Sequence, residues 1–268
     1  MDLKPIEINL GEYPENMREY LTGAKIFDSS CSEHAKVIFI DKKDSQTKYF
    51  LKSDAKYGLK SDALVMNYFS DKNLSGKVID YVSSDVLDKD FLLMEQVTGE
   101  DGTSRKFLDH PEKLTDIFAE SLVKLHSVDI SRDKNILTDK IQDLFAEAEK
   151  MKNPSSEGSK WLLEYIKADN GGDINCTREY AYNFLNENKY KLKSDVLIHG
   201  DYCLPNILLN DDFSFSGFID IGFAGIGERH YDIWWGVWTL EYNLKTNAYK
   251  HRFIECYNVN IYSIGKFD

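Results

Sequence analysis

The spacing of apolar residues changes once along this chain, near Gly102, and this change limits the folds that the chain can adopt. Before Gly102, short runs rich in β-branched and aromatic residues alternate with polar turns, which is typical of strands; the clearest are residues 36–40, 48–52 and 90–94. Between the last two, residues 59–69 place apolar side chains on one helical face and predict a single helix packed on the strands. The N-terminal part is therefore predicted to be strand-rich.

After Gly102, apolar residues recur three and four positions apart, so the second half is predicted to be mainly helical. Helices are expected at residues 111–126, 141–151 and 161–167, and from about Tyr231. Three short apolar runs interrupt this pattern and predict a small β insert: residues 196–198, 207–209 and 216–219. Together the two halves predict an α+β fold for the 268 residues.

The chain is acidic, with 33 Lys and Arg residues against 45 Asp and Glu residues and a formal net charge of −12. A surface of this sign repels nucleic-acid phosphates and anionic lipids, so we expect neither nucleic acid nor a membrane as a partner. It attracts a cationic small molecule, although an acidic surface also simply favours solubility. The sequence leaves the oligomeric state open.

Signals for export or membrane insertion are not evident. The N-terminal residues lack a basic stretch followed by an apolar one, and no apolar run approaches the roughly 18 residues of a membrane span. The four cysteines form no C-x-x-C pair, which argues against a zinc site or a dithiol redox motif and favours a reducing compartment. We therefore expect a cytoplasmic protein.

The residues best suited to chemistry lie in the loop H-G-D-Y-C-L-P-N, residues 199–206, between two of the apolar runs. Fourteen residues after Asn206, Asp220 ends another apolar run and opens the sequence D-I-G. An Asp can orient a substrate hydroxyl, while an Asn amide oxygen and a second carboxylate are hard ligands for Mg²⁺. Taken singly, Asp201 could be a turn residue and Asn206 a strand-end cap. In combination, H-x-D-x-x-x-x-N followed by D-x-G predicts phosphoryl transfer.

These stretches resemble the antibiotic kinases with a protein-kinase-like fold, and most closely the aminoglycoside 3′-phosphotransferases. The resemblance is strongest over residues 196–233, where I-H-G-D-Y-C-L-P-N-I-L-L, S-G-F-I-D-I-G and Y-D-I are similar to that family's signature stretches. Weaker similarity precedes it at residues 31–32, 50–52, 92–94 and 125–130. The resemblance implies two lobes: a strand-rich nucleotide-binding lobe of residues 1–97, and a mainly helical catalytic and substrate-binding lobe of residues 98–268.

The resemblance also implies a reaction, the transfer of the γ-phosphate of ATP or GTP to a hydroxyl of an aminoglycoside antibiotic, with Mg²⁺ as cofactor. It makes Asp201 the catalytic base that contacts the acceptor hydroxyl. Asn206 and Asp220 would hold Mg²⁺, and His199 would brace the loop.

The nucleotide is expected in the N-terminal lobe. By the resemblance, Lys52 bridges the α- and β-phosphates, and Asp62 stands where the family has a helix glutamate that pairs with this lysine. Read without the resemblance, Lys52 is a solvated strand lysine. Further contacts to the base or the phosphates are implied for Ser32, Phe50, Met94, Glu95 and Val97.

Two departures from the family bear on the acceptor. Phe223 follows D-I-G where the family usually has Arg, and the chain ends at Asp268 without the family's acidic, aromatic C-terminal segment. Candidates for contacts to a cationic sugar are Asp169, Asp173 and Glu241. Two alternatives therefore stay open: a kinase for a smaller metabolite such as choline, homoserine or a sugar, and a nucleotide-binding pseudokinase.

Overall fold

A computed structural model describes residues 4–30, 35–42, 45, 47–133, 136–151 and 178–264. Its N-terminal part is a six-stranded antiparallel sheet with the strand order β1-β2-β3-β4-β6-β5. The strands are β1 (Lys4–Pro5), β2 (Lys25–Asp28), β3 (Lys36–Asp41), β4 (Tyr49–Ala55), β5 (Val78–Ser84) and β6 (Lys89–Glu95). Two helices accompany them, α1 (Arg18–Leu21) and α2 (Lys60–Asp71).

The two faces of this sheet have different partners because side chains alternate along a strand. Leu51 and Leu93 face a core that includes Met17 from the segment before α1. Leu92 faces the other way and packs with Ala63 of α2. Lys52 is paired with Leu92 across β4 and β6, so the lysine lies on the α2 face of the sheet.

The C-terminal part is mainly helical. Its helices are α3 (Arg105–Leu108), α4 (Pro111–His126), α5 (Lys140–Met151), α6 (Arg178–Asn188), α7 (Arg229–Leu244) and α8 (Lys250–Ile264). Its short strands are β7 (Glu100–Asp101), β8 (Val196–Ile198), β9 (Ile207–Leu209), β10 (Phe215–Phe218) and β11 (Gly225–Gly227). They form two small sheets, β10-β9-β7 and β11-β8.

Helix α4 forms the centre of the C-terminal core. It begins at Pro111, whose missing N–H costs nothing at a helix start. Phe118 and Leu122 on its apolar face are fully buried, and Phe253 of α8 packs in the same core. The β9 and β10 strands lie against this core, so the loops that carry the candidate site rest on a rigid base.

The predicted α+β architecture with a strand-rich and a mainly helical lobe is confirmed, whereas the division at Val97 stays a prediction. The predicted helix at residues 111–126 coincides with α4, and the three runs of the β insert correspond to β8, β9 and β10. The helix predicted at residues 161–167 lies outside the described residues. Within the described ranges, no helix combines the length and the apolar character that a membrane span requires.

Candidate functional site

The loop of residues 199–206 begins where the buried strand β8 ends. Asp232 in the first turn of α7 fixes this start: its Oδ2 accepts from the His199 N–H at 2.7 Å, and its Oδ1 accepts from the Gly200 N–H at 3.0 Å. Gly200 has φ +80°, and a Cβ at this position would stand 2.3 Å from the Phe223 carbonyl oxygen. Only glycine fits there, which explains the G of H-G-D.

His199 ties this loop to the segment that carries Asp220. Its ring is fully buried, with Nδ1 accepting from the Asp201 N–H at 3.3 Å and Nε2 donating to the Ile219 carbonyl at 3.1 Å. These partners require the neutral tautomer with hydrogen on Nε2. Burial lowers the pKa of His199, because the charged imidazolium would lose its hydration.

Asn206 is held against Asp201 through its amide nitrogen. Nδ2 donates to the Asp201 carbonyl and to Asp201 Oδ2, both at 2.9 Å. An amide nitrogen has two hydrogens, so this pair of bonds uses both. The remaining polar atom, Oδ1, is thereby oriented away from Asp201 and is suited to binding a cation.

Asp220 lies beside Asn206 because the Ile219 N–H donates to the Asn206 carbonyl at 3.0 Å. Asp220 has φ +55°, a left-handed conformation that Asp tolerates better than most residues, and its side chain is exposed. The structure thus brings together all four residues predicted around this loop: His199, Asp201, Asn206 and Asp220.

The donor set of Asn206 and Asp220 fits Mg²⁺. In the described part of the chain, no group of three or more His, Cys, Asp or Glu side chains forms a metal cage. Mg²⁺ is commonly bound by one or two carboxylates together with the phosphates of a substrate, and it keeps several waters. An amide oxygen beside one exposed carboxylate matches that mode.

Lys52 and Asp62 form an ion pair on the α2 face of the sheet. The Lys52 Nζ lies 2.6 Å from Asp62 Oδ2, with side-chain exposures of 30% and 20%. A Cβ on Gly222 would stand 3.5 Å from Asp62 Oδ1, so the carboxylate adjoins the turn that follows Asp220. The shorter Asp therefore reaches the lysine directly, and the pair lies next to the loops of the C-terminal lobe.

The residues predicted to contact the base lie at the ends of β4 and β6. Phe50 is paired with Met94 across the two strands, and its ring centroid is 5.1 Å from that of Phe39. The Glu95 N–H donates to the Lys77 carbonyl at 2.8 Å, so a contact to the base through Glu95 is restricted to its carbonyl.

Three of the predicted contact residues lie outside the described residues: Ser32, predicted to contact the nucleotide, and Asp169 and Asp173, predicted to contact the acceptor. Glu241 lines a cavity of about 360 Å³ at the end of α7, together with Trp238 and Tyr242. Phe223, which stands in place of the family's Arg, is 69% exposed.

The buried network behind the loop was not predicted from the sequence. Asp232 Oδ2 is 3.3 Å from His126 Nε2, and His126 Nδ1 is 2.8 Å from the Tyr257 hydroxyl. This chain of contacts joins α7, α4 and α8 beneath the loop. The stretch Y-D-I carries one signal for this network, an acidic residue in the first turn of an aromatic helix.

The known proteins that are similar to this chain include phosphotransferases. The sequence profile of the phosphotransferase enzyme family matches residues 39–255. A probable aminoglycoside 3′-phosphotransferase of Lactococcus lactis subsp. lactis is 40% identical over 256 residues, which is 96% of this chain and 92% of that protein.

Among solved structures, the crystal structure of an aminoglycoside 3′-phosphotransferase of type VIII has a TM-score of 0.60 at 18% identity, covering 94% of this chain and 92% of that one. An aminoglycoside phosphotransferase of Streptomyces rimosus in complex with ADP and streptomycin has a TM-score of 0.56 at 17% identity, covering 92% of each chain. At these identities the likeness establishes the fold.

Proposed function

The chain belongs to the phosphotransferase enzyme family, and we propose that it transfers the γ-phosphate of a nucleoside triphosphate to a hydroxyl of an aminoglycoside. The observation that carries the proposal is the bonding between Asp201, Asn206 and the residue before Asp220. These bonds support the proposal, because Asp201 would serve as the base beside two hard oxygen ligands, Asn206 and Asp220. The L. lactis relative, named a probable aminoglycoside 3′-phosphotransferase, supports the choice of acceptor.

In the proposed reaction, the acceptor hydroxyl oxygen attacks the γ-phosphorus while the bond from that phosphorus to the β,γ-bridging oxygen breaks. The bridging oxygen leaves with the bonding electron pair as part of the nucleoside diphosphate, and the hydroxyl proton passes to the Asp201 carboxylate. Phosphoryl transfer has a loose transition state, so orienting the hydroxyl matters more than strong basicity. Asn206 serves that orientation by holding the Asp201 side chain through Oδ2.

Asn206 Oδ1 and the Asp220 carboxylate would hold Mg²⁺, which when bound supplies positive charge beside the phosphate oxygens. Lys52, held by Asp62, would add a second positive charge on the nucleotide phosphates. Phe50 and Met94 would lie against the base, with Glu95 and Val97 offering backbone groups. The ADP complex of the S. rimosus enzyme supports an adenine nucleotide, and GTP is the alternative.

The acceptor is proposed to be cationic because the chain carries a net charge of −12 and aminoglycosides carry several ammonium groups. A smaller hydroxyl-bearing metabolite is the second candidate. The departure at residue 223 keeps this candidate open, because an exposed apolar ring stands there where the family usually has a charged Arg.

A product assay separates these possibilities. Purified protein is incubated with Mg²⁺ and either ATP or GTP, and with kanamycin-type aminoglycosides, choline, homoserine or a sugar in parallel. Phosphorylated aminoglycoside with stoichiometric nucleoside diphosphate is the expected result. Phosphorylation of only a metabolite selects the second candidate, and nucleotide binding without transfer to any acceptor identifies a pseudokinase. Asp201→Asn is the matched control, because it keeps the size of the side chain and removes its charge.

A further inference from the structure

The two carboxylate oxygens of Asp201 have different partners. Oδ2 accepts an amide hydrogen from Asn206 Nδ2 at 2.9 Å. Oδ1 lies 3.4 Å from the Cys203 sulfur, which is a normal separation for a hydrogen bond that involves sulfur. An S–H group is a much weaker donor than an amide N–H. Oδ1 is thus held in place while keeping more of its capacity to accept another hydrogen.

The direction of this bond follows from its partner, because a carboxylate only accepts and the thiol is therefore the donor. The backbone beside Cys203 is held as well: the Thr239 hydroxyl oxygen accepts from the Leu204 N–H at 3.2 Å and from Asn243 Nδ2 at 3.1 Å. These bonds tie the residue that follows Cys203 to α7.

Thr239 and Cys203 both lie in a protected setting. Thr239 is fully buried, and Cys203 is 7% exposed. Burial raises the pKa of the Cys203 thiol, and the nearby Asp201 carboxylate raises it further. The 3.4 Å contact itself identifies the thiol as the donor, because an ordinary cysteine is protonated at neutral pH and the carboxylate oxygen accepts.

We propose that Cys203 is a positioning residue for phosphoryl transfer, whose weak S–H bond to Asp201 Oδ1 fixes the carboxylate while leaving that oxygen to accept the hydroxyl proton. The inference rests on the proposed function, because it assigns the proton to one oxygen of the proposed base. It gives the two oxygens different roles: Oδ2 is committed to Asn206, and Oδ1 keeps the capacity to accept the hydroxyl proton. If Cys203 only filled space as a small apolar residue, the two oxygens of Asp201 would not differ in this way.

The test compares kcat, KM and thermal unfolding for Cys203→Ala and Cys203→Ser. We expect Cys203→Ala to lower kcat by about tenfold with little change in the KM for nucleotide, since a misplaced base affects the transition state more than substrate binding. Cys203→Ser keeps a donor and should retain more of the wild-type kcat than the Ala variant. Cys256→Ala, at the other free cysteine of the described chain, is the control and should leave kcat unchanged.

The ranking of Cys203→Ala and Cys203→Ser by kcat decides between a positioning role and a packing role. A buried hydroxyl without a partner destabilises a protein, so a packing role predicts that Ser is no better than Ala. Ala equal to or better than Ser in kcat, or a kcat loss no larger than the loss of folded protein, overturns the inference. Both results require an active wild-type enzyme; a wild type that transfers phosphate to no acceptor refutes the proposed function itself.

Discussion

The two sides of the candidate site are held by different kinds of interaction. On the nucleotide side, Lys52 and Asp62 meet through two side chains that are 30% and 20% exposed. On the acceptor side, the backbone N–H groups of His199 and Gly200 are bonded to Asp232, whose side chain is completely buried. A partly exposed pair adjusts to its surroundings, whereas a buried carboxylate bonded to backbone groups defines one loop position.

This difference matches what the two sides are proposed to do. A catalytic carboxylate must meet a hydroxyl within a few tenths of an ångström, because small misplacements are costly in rate. A lysine acts on phosphates as a point charge on a flexible stem and tolerates movement. The comparison therefore predicts that changes behind the loop reduce stability and activity together, while changes at the Lys52 pair act mainly on nucleotide binding.

The largest effect is expected from Asp232→Asn. The amide nitrogen of Asn cannot accept the hydrogen bonds that the Asp232 carboxylate accepts, so a buried N–H group loses its partner. Removing one member of a buried charged network should lower the free energy of unfolding by about 3 kcal/mol, measured by urea denaturation. Asp195→Asn is the control, because Asp195 pairs with Arg229 at 44% side-chain exposure and should change stability by less than about 1 kcal/mol. Equal losses of unfolding free energy in Asp232→Asn and Asp195→Asn would contradict the conclusion that the buried Asp232 anchors the loop.

A smaller, pH-dependent effect is expected from His199. Its pKa is lowered in the folded protein, so below about pH 6.5 the unfolded chain binds more protons than the folded one. This contribution to stability is present above that pH and is lost as the pH falls toward the folded-state pKa. The slope reaches at most about 1.4 kcal/mol per pH unit for one proton.

Unfolding of the wild type and of His199→Gln at several pH values measures this contribution. The variant should show a shallower dependence between about pH 6.5 and pH 5, because Gln does not titrate. His251→Gln serves as the control, since His251 is exposed on α8, and it should keep the wild-type slope. Identical slopes for all three proteins would show that His199 is not held neutral by burial.

The smallest effect on stability is expected at the Lys52 pair. Lys52→Met should change the free energy of unfolding by no more than about 1 kcal/mol, because ion pairs that keep contact with solvent contribute little. It should instead raise the KM for nucleotide, which a titration of initial rates measures. Lys56→Met removes a lysine that pairs with Asp85 away from the site and should leave that KM unchanged. A large stability loss with an unchanged nucleotide KM would reverse the comparison between the two sides.

Local patterns in the sequence were sufficient for the elements that carry the site. The helical spacing of residues 59–69 predicts α2, and the strand pattern around Lys52 predicts β4. The resemblance aligned Asp62 with the helix glutamate that pairs with this lysine, and the structure brings Lys52 and Asp62 together. The spacing within residues 199–206 likewise identified side chains that lie together, because a short loop between two strands leaves them little room to separate.

The remaining features depend on contacts between distant residues. Strand β5 was not predicted because most of its side chains are half-buried and show no alternation. The role of Asp232 depends on a backbone N–H 33 positions earlier, and Thr239 meets Leu204 from 35 positions away. A carboxylate in the first turn of a helix is normally explained by the helix dipole, so the sequence alone did not distinguish this buried anchor.

The most direct test of the account follows a labelled γ-phosphate from ATP to an aminoglycoside in the presence of Mg²⁺, with the wild type and Asp201→Asn compared side by side. We expect label on an acceptor hydroxyl with the wild type, and a rate lower by about 10² to 10⁴ with the variant, which should still bind nucleotide. Equal rates of labelling in the two proteins would contradict the claim that the Asp201 carboxylate acts on the acceptor.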